Sequence, residues 1–380
     1  MQRPASTRVQ FIDVMRLIAL AQMVNGHTLN ALLDERMRHG SLYAHYLWFR
    51  GLVSVAFMLV AGLAFHLTTL SRWTEHVQDP EARRHRLLRA IELIAIGFLL
   101  RFPVSGLLTL DAPAIARGLS GLSQVDVLPC IGMSLLALEG LSRICRRPSQ
   151  VVFACAALCG ATALLSAWGA RLPTEGKLGL LTGWLGPQGG SSFPLLPFSG
   201  YVFAGVVIGA IALPEGGRTL ASQTRIRLLL TAAGLCTLAL AATRAPFSIV
   251  GTVPKLAHSP SFFLQKLAAV SVALWLLTLA LARVTALPRA LRVLTGETLG
   301  VYIFHLFVLY GFPFGLAKRF GPTLPLTAAL SVSAAMLVAS VLAGLAWRAI
   351  KDLPHAQRFV PRRRALLVAD PDGHAARLAQ

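Results

Sequence analysis

Charged side chains are scarce in this chain of 380 residues, making up 14% of it against about a quarter of an ordinary soluble domain. Acidic side chains are the scarcest, with 16 aspartates and glutamates against 36 lysines and arginines. Hydrophobic residues make up 55%, and the mean hydropathy is +0.64. This composition excludes an ordinary soluble domain. It predicts an all-α integral membrane protein that crosses the bilayer many times.

The formal net charge of +20 raises the question of a nucleic-acid partner. The basic residues, however, stand in short groups between long apolar segments, and no soluble basic patch is interleaved with aromatic residues. A nucleic-acid-binding surface needs such a patch, so we expect no nucleic-acid partner. The positive charge reflects membrane topology instead.

The five cysteines do not form a disulfide framework, because all of them fall in or beside apolar segments. Cys155 and Cys159 stand one helical turn apart, which is a spacing that metal sites use. Neither a histidine nor a carboxylate accompanies them, so we interpret them as small buried hydrophobic residues and predict no metal site.

About ten segments have the length and apolarity of membrane spans. They cover residues 11–33, 46–70, 87–104, 124–142, 150–170, 195–213, 226–243, 263–285, 295–317 and 326–350. Basic residues concentrate in alternate connections, which places both termini in the cytoplasm by the positive-inside rule. The sequence therefore predicts a transmembrane domain over residues 1–350. Residues 351–380 are predicted to form a basic, disordered cytoplasmic tail.

The first apolar stretch, FIDVMRLIALAQMVNGHTLNALL, carries three ionisable residues, Asp13, Arg16 and His27. Ionisable groups inside a membrane helix are costly and usually functional. Eleven residues of helix separate Arg16 from His27, which places both on one side and about 16 Å apart along the axis. Asp13 lies three residues before Arg16, within reach of an ion pair.

The chemistry of these side chains suits group transfer. Near the outer end of its helix, His27 can act as a general base on an attacking hydroxyl or amine, or can itself take up an acyl group. The Arg16 guanidinium suits a phosphate or carboxylate. The structural alternatives are a histidine bonded to a neighbouring helix and an Asp13–Arg16 pair at the membrane interface.

Further polar residues fall within or beside the other predicted spans, and five are candidates for the same cavity: Arg50, Arg101, Asp126, Tyr302 and His305. Tyr302 and His305 are three residues apart and share a helix face. His305 lies in mid-span, where its side chain cannot reach the interface. For Arg50, Arg101 and Lys266, which lie towards the outer side, snorkelling to the interface is the simple alternative.

Four stretches resemble membrane-bound acyltransferases of the acyltransferase-3 family, and the pattern extends over most of the chain. They are FIDVMRLIALAQMVNGH, RGLVSVAFMLVAGLAFHL, QVDVLPCIG and ETLGVYIFHLFVLYG. In that family the first helix has an Asp, then Leu-Arg, and a His eleven residues after the Arg, which match Asp13, Arg16 and His27. The late Gly-x-x-x-Tyr-x-x-His helix matches Tyr302 and His305. The chain is also similar to bacterial relatives of heparan-alpha-glucosaminide N-acetyltransferase.

The resemblance implies an acyl-CoA donor on the cytoplasmic side, most simply acetyl-CoA, and no permanently bound cofactor. It implies a hydroxyl or amine of an envelope or exported glycan as the acceptor, and a bacterial inner membrane as the location. Arg16 and Asp13 would bind the donor, and His27 would be catalytic. In the second branch the active histidine lies in the outer loop after the first helix, where His39 and His45 become the alternatives.

Two other classes of protein stay open from the sequence. A transporter or exporter could use the same line of polar residues as a path, although paired repeats with broken helices, which many transporters show, are not evident. A non-catalytic membrane scaffold or sensor is the second alternative. Saturable binding of acyl-CoA would separate the enzyme from both.

Overall fold

A computed structural model describes residues 9–76, 79–102, 124–173, 179–187, 190–216, 219–244, 259–284, 286–311 and 314–351, with a few isolated positions besides. Ten helices of 13 residues or more form within these ranges. They are α1 (Gln10–Leu32), α2 (Gly40–Thr68), α3 (Pro80–Leu99), α4 (Val127–Ile144), α5 (Pro148–Gly169), α6 (Leu195–Ala212), α7 (Ala221–Arg244), α8 (Pro260–Ala280), α9 (Thr298–Tyr310) and α10 (Leu326–Lys351). No strand is present in the described residues, which confirms the all-α class.

Seven of the described helices, α2, α4, α5, α6, α7, α8 and α10, are long and apolar enough to cross a membrane. The chain is therefore a polytopic membrane protein. The other three occupy predicted spans but differ in character: α1 and α3 contain more polar residues, and α9 is apolar but has only 13 residues. The count of ten spans and the cytoplasmic placement of the termini stay predictions. The predicted disordered tail lies outside the described residues, apart from its first positions.

Helix α1 lies in the interior and packs against α2, α8, α9 and α10. Its outer end is tied to the segment before α10 by two backbone hydrogen bonds. The Asp34 N–H donates to the Leu324 carbonyl and the Leu324 N–H donates to the Leu32 carbonyl, each at 2.9 Å. About two helical turns further into the bundle, the Asn25 amide donates to the Ser333 hydroxyl at 3.1 Å. Asp13 is thus buried in the bundle and Asn25 is held by a neighbouring helix, whereas Gln22 and Asn30 of the same helix are exposed.

The closest helix packing joins α2 to α6, where glycines face the opposite backbone. A Cβ added to Gly205 would overlap the Leu59 carbonyl, and one added to Gly62 would overlap the Val202 carbonyl. Small residues let membrane helices approach closely, so that van der Waals packing holds them together. This contact fixes α2 and hence the arginine near its outer end.

Two buried carboxylates near the predicted cytoplasmic ends of the helices are paired with cations. Glu139 of α4 accepts hydrogen bonds from Arg86 of α3 at 2.8 and 3.2 Å. Glu297, just before α9, accepts from Lys351 of α10 at 2.6 and 2.7 Å. A charge buried in a bundle is costly unless it is paired, and these pairs join neighbouring helices at one end of the fold.

Candidate active site

Two histidines from distant parts of the sequence meet inside the bundle. The ring of His27, in the last third of α1, and that of His305 of α9 have centroids 5.3 Å apart. His27 is half-buried, whereas His305 has 0% of its surface exposed. The structure thus brings together two residues that the sequence marked separately.

One hydrogen bond defines the protonation of His305. Its Nδ1 lies 3.0 Å from the Val301 carbonyl oxygen, which can only accept, so Nδ1 must carry the proton. Nε2 of the neutral ring therefore keeps its lone pair, and this buried atom has no hydrogen-bond partner in the part of the chain that the structure describes. A buried, oriented and unpartnered imidazole nitrogen is the form that a general base requires.

Tyr302 is a ring neighbour of His305, and an ion pair lies near this tyrosine. The Tyr302 ring contacts the His305 ring edge-on, with centroids 5.6 Å apart, which confirms their shared face. The Arg101 guanidinium binds the Asp126 carboxylate through two hydrogen bonds of 2.6 Å, and it also donates to Gln124. Tyr302 lies within electrostatic reach of this pair. Arg101 is therefore not simply snorkelling, because it joins the end of α3 to the start of α4.

Arg50 of α2 lies against α1 beside His27. Its guanidinium donates to the Asn30 side-chain oxygen at 2.9 Å and is within electrostatic reach of His27. A Cβ added to Gly26 would lie 3.1 Å from the Arg50 side chain, so the glycine makes room for this arginine. Of the five predicted cavity residues, His305 thus forms the histidine contact, Arg50 and Tyr302 flank it, and Arg101 and Asp126 lie within electrostatic reach of Tyr302.

Tyr310 is a neighbour of His27 that the sequence did not identify. Its ring lies edge-on to the His27 ring at 6.4 Å, and its hydroxyl lies 3.4 Å from the His27 carbonyl oxygen. Five residues of helix separate Tyr310 from His305, so the helical period does not place the two on one face. The packing of α9 against α1 brings Tyr310 to the site, and no local sequence pattern shows that packing.

The predicted donor residues form the expected ion pair at the other end of α1. Arg16 Nη1 lies 3.7 Å from Asp13 Oδ1, with 29% of the arginine side chain exposed and 6% of the aspartate side chain. The pair confirms the predicted contact. The structure does not bring either residue into contact with the two histidines, since α1 separates Arg16 from His27 by about 16 Å and Asp13 from His27 by about 21 Å.

The alternative histidines lie at the end of the loop between α1 and α2 and in the second turn of α2, and neither forms part of this contact. His39 immediately precedes α2, and His45 lies in its second turn with Nδ1 placed 2.6 Å from the Ser41 carbonyl oxygen. Both side chains are exposed. On the same loop, hydrogen bonds from Arg36 lower the pKa of Asp34 to about 2.

Lys266 of α8 is the largest departure from the sequence interpretation. Snorkelling is wrong for this residue, because only 2% of its surface is exposed. Its ammonium group donates to the Trp48 carbonyl oxygen and lies 4.3 Å from the centre of the Trp48 ring. The sequence showed a lysine near the outer end of a span but not the aromatic residue that covers it.

The described residues contain no group of three or more His, Cys, Asp or Glu side chains that could hold a metal ion. All five cysteines are free thiols. The side chains that the structure places at the histidine contact are two imidazoles, two phenols and the arginine of α2.

Comparison with known families gives one finding. The family model described as heparan-alpha-glucosaminide N-acetyltransferase, catalytic, matches residues 8–241, which is more than half of the chain. The matched region runs through α1 and into α7, so it includes His27 and Arg50 and ends before α8 and α9. No curated protein matches the chain.

Proposed function

The chain belongs to the heparan-alpha-glucosaminide N-acetyltransferase family, and from that premise we propose that it moves an acetyl group from acetyl-CoA to an amine or hydroxyl of a glycan. The family implies a membrane-bound acetyltransferase. The acyl-CoA donor, the glycan acceptor and the residues that act on them are our proposal. The acyltransferase-3 assignment stays a prediction.

The contact between His27 and His305 is the observation that supports this proposal most directly. In direct transfer the acceptor nitrogen or oxygen attacks the thioester carbonyl carbon, the carbon–sulfur bond breaks, and an imidazole takes the proton of the acceptor. That proton then passes to the departing thiolate of CoA. His305 presents a buried Nε2 with a free lone pair for this step. The centroid of the His27 ring lies 5.3 Å from that of the His305 ring, and His27 is also within electrostatic reach of Arg50.

A second route uses the same residues. The acetyl group first passes to a nitrogen of His27 as CoA leaves, and the acceptor then takes it from the imidazole with His305 as the base. The two routes differ in whether an acetylated protein accumulates when the acceptor is withheld. Mass spectrometry of protein mixed with acetyl-CoA alone distinguishes them.

The donor and acceptor approach from opposite ends of α1 in this proposal. Arg16, partly exposed beside Asp13, contacts the phosphates of CoA near the cytoplasmic face. The pantetheine arm then extends about 16 Å along α1 to the histidines. The acceptor meets the acetyl group from the outer side, and a bacterial inner membrane is the location that we propose.

The family branch also suggests the outer loop as the place of the active histidine, but geometry favours His27. His39 and His45 are exposed and lie away from the described polar contacts around His305. His27 alone of the three contacts a second histidine in the bundle interior.

The deciding experiment follows release of free thiol from acetyl-CoA by purified protein in detergent. His27→Ala is expected to lose this activity while remaining folded by size-exclusion chromatography. His39→Ala and His45→Ala are the matched controls, and both are expected to keep it. Full activity in His27→Ala would contradict the assignment of His27 as the catalytic histidine. A wild-type protein that neither binds nor cleaves acetyl-CoA would favour the transporter.

A further inference from the structure

The first half of α3 lines a surface cavity at the end of the bundle that is predicted to face the cytoplasm. The cavity has a volume of about 290 Å³ and is lined by Pro80, Arg83, Arg84, Leu87 and Leu88. It therefore combines two guanidinium groups with apolar side chains. None of these residues takes part in the described contacts around the two histidines, so the proposed reaction does not account for the cavity.

Arg84 is a cation on this cavity without a carboxylate partner. The other arginines in this half of α3 lie within ion-pair distance of acids, as Arg83–Glu139, Arg86–Glu139 and Arg89–Glu92. Arg84 is exposed and forms no ion pair in the described residues, although Glu81 stands one helical turn before it. Its positive charge is thus available to an anion from outside the protein.

The end of α4 adds positive charge beside the start of α3. The hydrogen bonds between Arg86 and Glu139 join the two helices near this end. The chain then leaves α4 through three exposed arginines that form no ion pair in the described ranges: Arg143, Arg146 and Arg147. With Arg84, four cations at this end of the α3–α4 pair lack a carboxylate. An anionic partner complements such a surface.

An exposed apolar face continues from the cavity along α3. Leu88, Ile91 and Leu99 are all exposed, and the helical period places them on the same side as Arg84. Leu99 lies about 22 Å from Arg84 along the helix axis. One leaflet contributes about 15 Å to the hydrocarbon core of a bilayer. The face is therefore long enough to follow an acyl chain through one leaflet, with the arginine at the level of the headgroups.

We infer that the α3 lipid surface, defined as the cavity with the exposed face from Leu88 to Leu99, binds an anionic phospholipid of the cytoplasmic leaflet. The lipid phosphate contacts Arg84, and one acyl chain lies along the apolar face. Clustered arginines at the cytoplasmic ends of membrane helices attract anionic lipids. A zwitterionic lipid binds less well, because it brings its own cation to this basic end. The inference does not depend on acetyl transfer.

The test measures lipid binding to the purified full-length protein in an uncharged detergent. The melting temperature is followed while dioleoylphosphatidylglycerol, or dioleoylphosphatidylcholine with the same acyl chains, is added. We expect the anionic lipid to raise the melting temperature in a saturable way, and at lower concentrations than the zwitterionic lipid. Arg84→Gln is expected to weaken binding of the anionic lipid about fivefold, which is the effect of one cation near an anionic lipid surface. Arg84→Glu, which reverses the charge, should weaken it further.

The matched control is Arg289→Gln, at an exposed arginine on the same predicted side of the membrane, and it should bind the lipid as the wild type does. Equal losses in Arg84→Gln and Arg289→Gln would overturn the inference, because they would show a diffuse effect of charge. Equal binding of the two lipids by the wild type would overturn it as well.

Two further outcomes separate the lipid from other sources of phosphate. If sn-glycerol 3-phosphate stabilises the protein as well as the anionic lipid does, the acyl chain has no part in binding and the inference is wrong. If Arg84→Gln raises the KM for acetyl-CoA as much as Arg16→Gln does, the arginine serves the donor instead of a lipid. Lipid selectivity that is lost in Arg84→Gln, with an unchanged KM for acetyl-CoA, supports the α3 lipid surface.

Discussion

The contact between His27 and His305 makes a quantitative prediction for a double variant. The single changes are His27→Gln and His305→Asn. Asparagine at position 305 keeps a side-chain N–H that can donate to Val301 in place of Nδ1–H, but it has no counterpart of the basic Nε2. The variant therefore separates the base from its structural hydrogen bond.

The size of the effect follows from the geometry. Loss of a positioned general base typically costs about 10²–10⁴-fold in rate, or about 3–5 kcal/mol of transition-state stabilisation. Ring centroids 5.3 Å apart put the two imidazoles in contact, and the proposed function makes them one catalytic unit. We expect the double variant to be about as slow as the slower single variant, because residues that act as a unit are not additive. Independent residues would instead multiply to about 10⁴–10⁸-fold.

The assay is single-turnover transfer from acetyl-CoA in detergent, with protein excess and free thiol as the readout. Melting temperatures of all four proteins establish that each variant is folded. If the rate loss of the double variant equals the product of the two single rate losses, His27 and His305 do not act as one unit. Wild-type rates in His305→Asn would show that the Nε2 lone pair has no part in the reaction.

Three further predictions concern the parts of the bundle around this centre. Arg16→Gln should raise the KM for acetyl-CoA about tenfold or more with little change in kcat, since it removes a charge-assisted contact to the donor phosphates; an unchanged KM in steady-state kinetics contradicts the donor site. Asp126→Asn should lower kcat about tenfold while leaving the KM for acetyl-CoA unchanged, because it weakens the ion pair with Arg101 that lies within electrostatic reach of Tyr302. A wild-type kcat shows that the pair does not position the site. Gly205→Ala should destabilise the protein by about 1–3 kcal/mol, since its Cβ overlaps the α2 backbone. The control is Gly160→Ala, where an added Cβ meets nothing within 4 Å, and melting in detergent compares the two variants. Equal melting temperatures contradict the close packing.

Much of the fold follows from local sequence. The predicted span 195–213 agrees closely with Leu195–Ala212, and the helix predicted over 87–104 begins earlier, at Pro80, because Asp79 caps it. The predicted span 295–317 is wrong in its length, since α9 ends at Tyr310 and Gly311 follows in an extended conformation. Hydropathy continues through that break, so apolarity alone did not show it.

The candidate site was predictable only in parts. Asp13 and Arg16, and Tyr302 and His305, are three residues apart on single helices, so their contacts follow from the helical period. The approach of His27 to His305 depends on how α1 packs against α9, which no local pattern specifies. Lys266 shows the same limit, because its burial depends on an aromatic residue of another helix.

The clamp between α1 and α10 has a consequence for how a sugar enters. Backbone hydrogen bonds at Leu32 and Asp34, with the Asn25–Ser333 bond below them, fix His27 from both sides along α1. This side of α1 is therefore held by the backbone itself. The opposite flank, where Arg50 of α2 donates to the Asn30 side chain, shows no such backbone bonds in the described residues, so we expect any movement that admits a substrate to occur there rather than along α10.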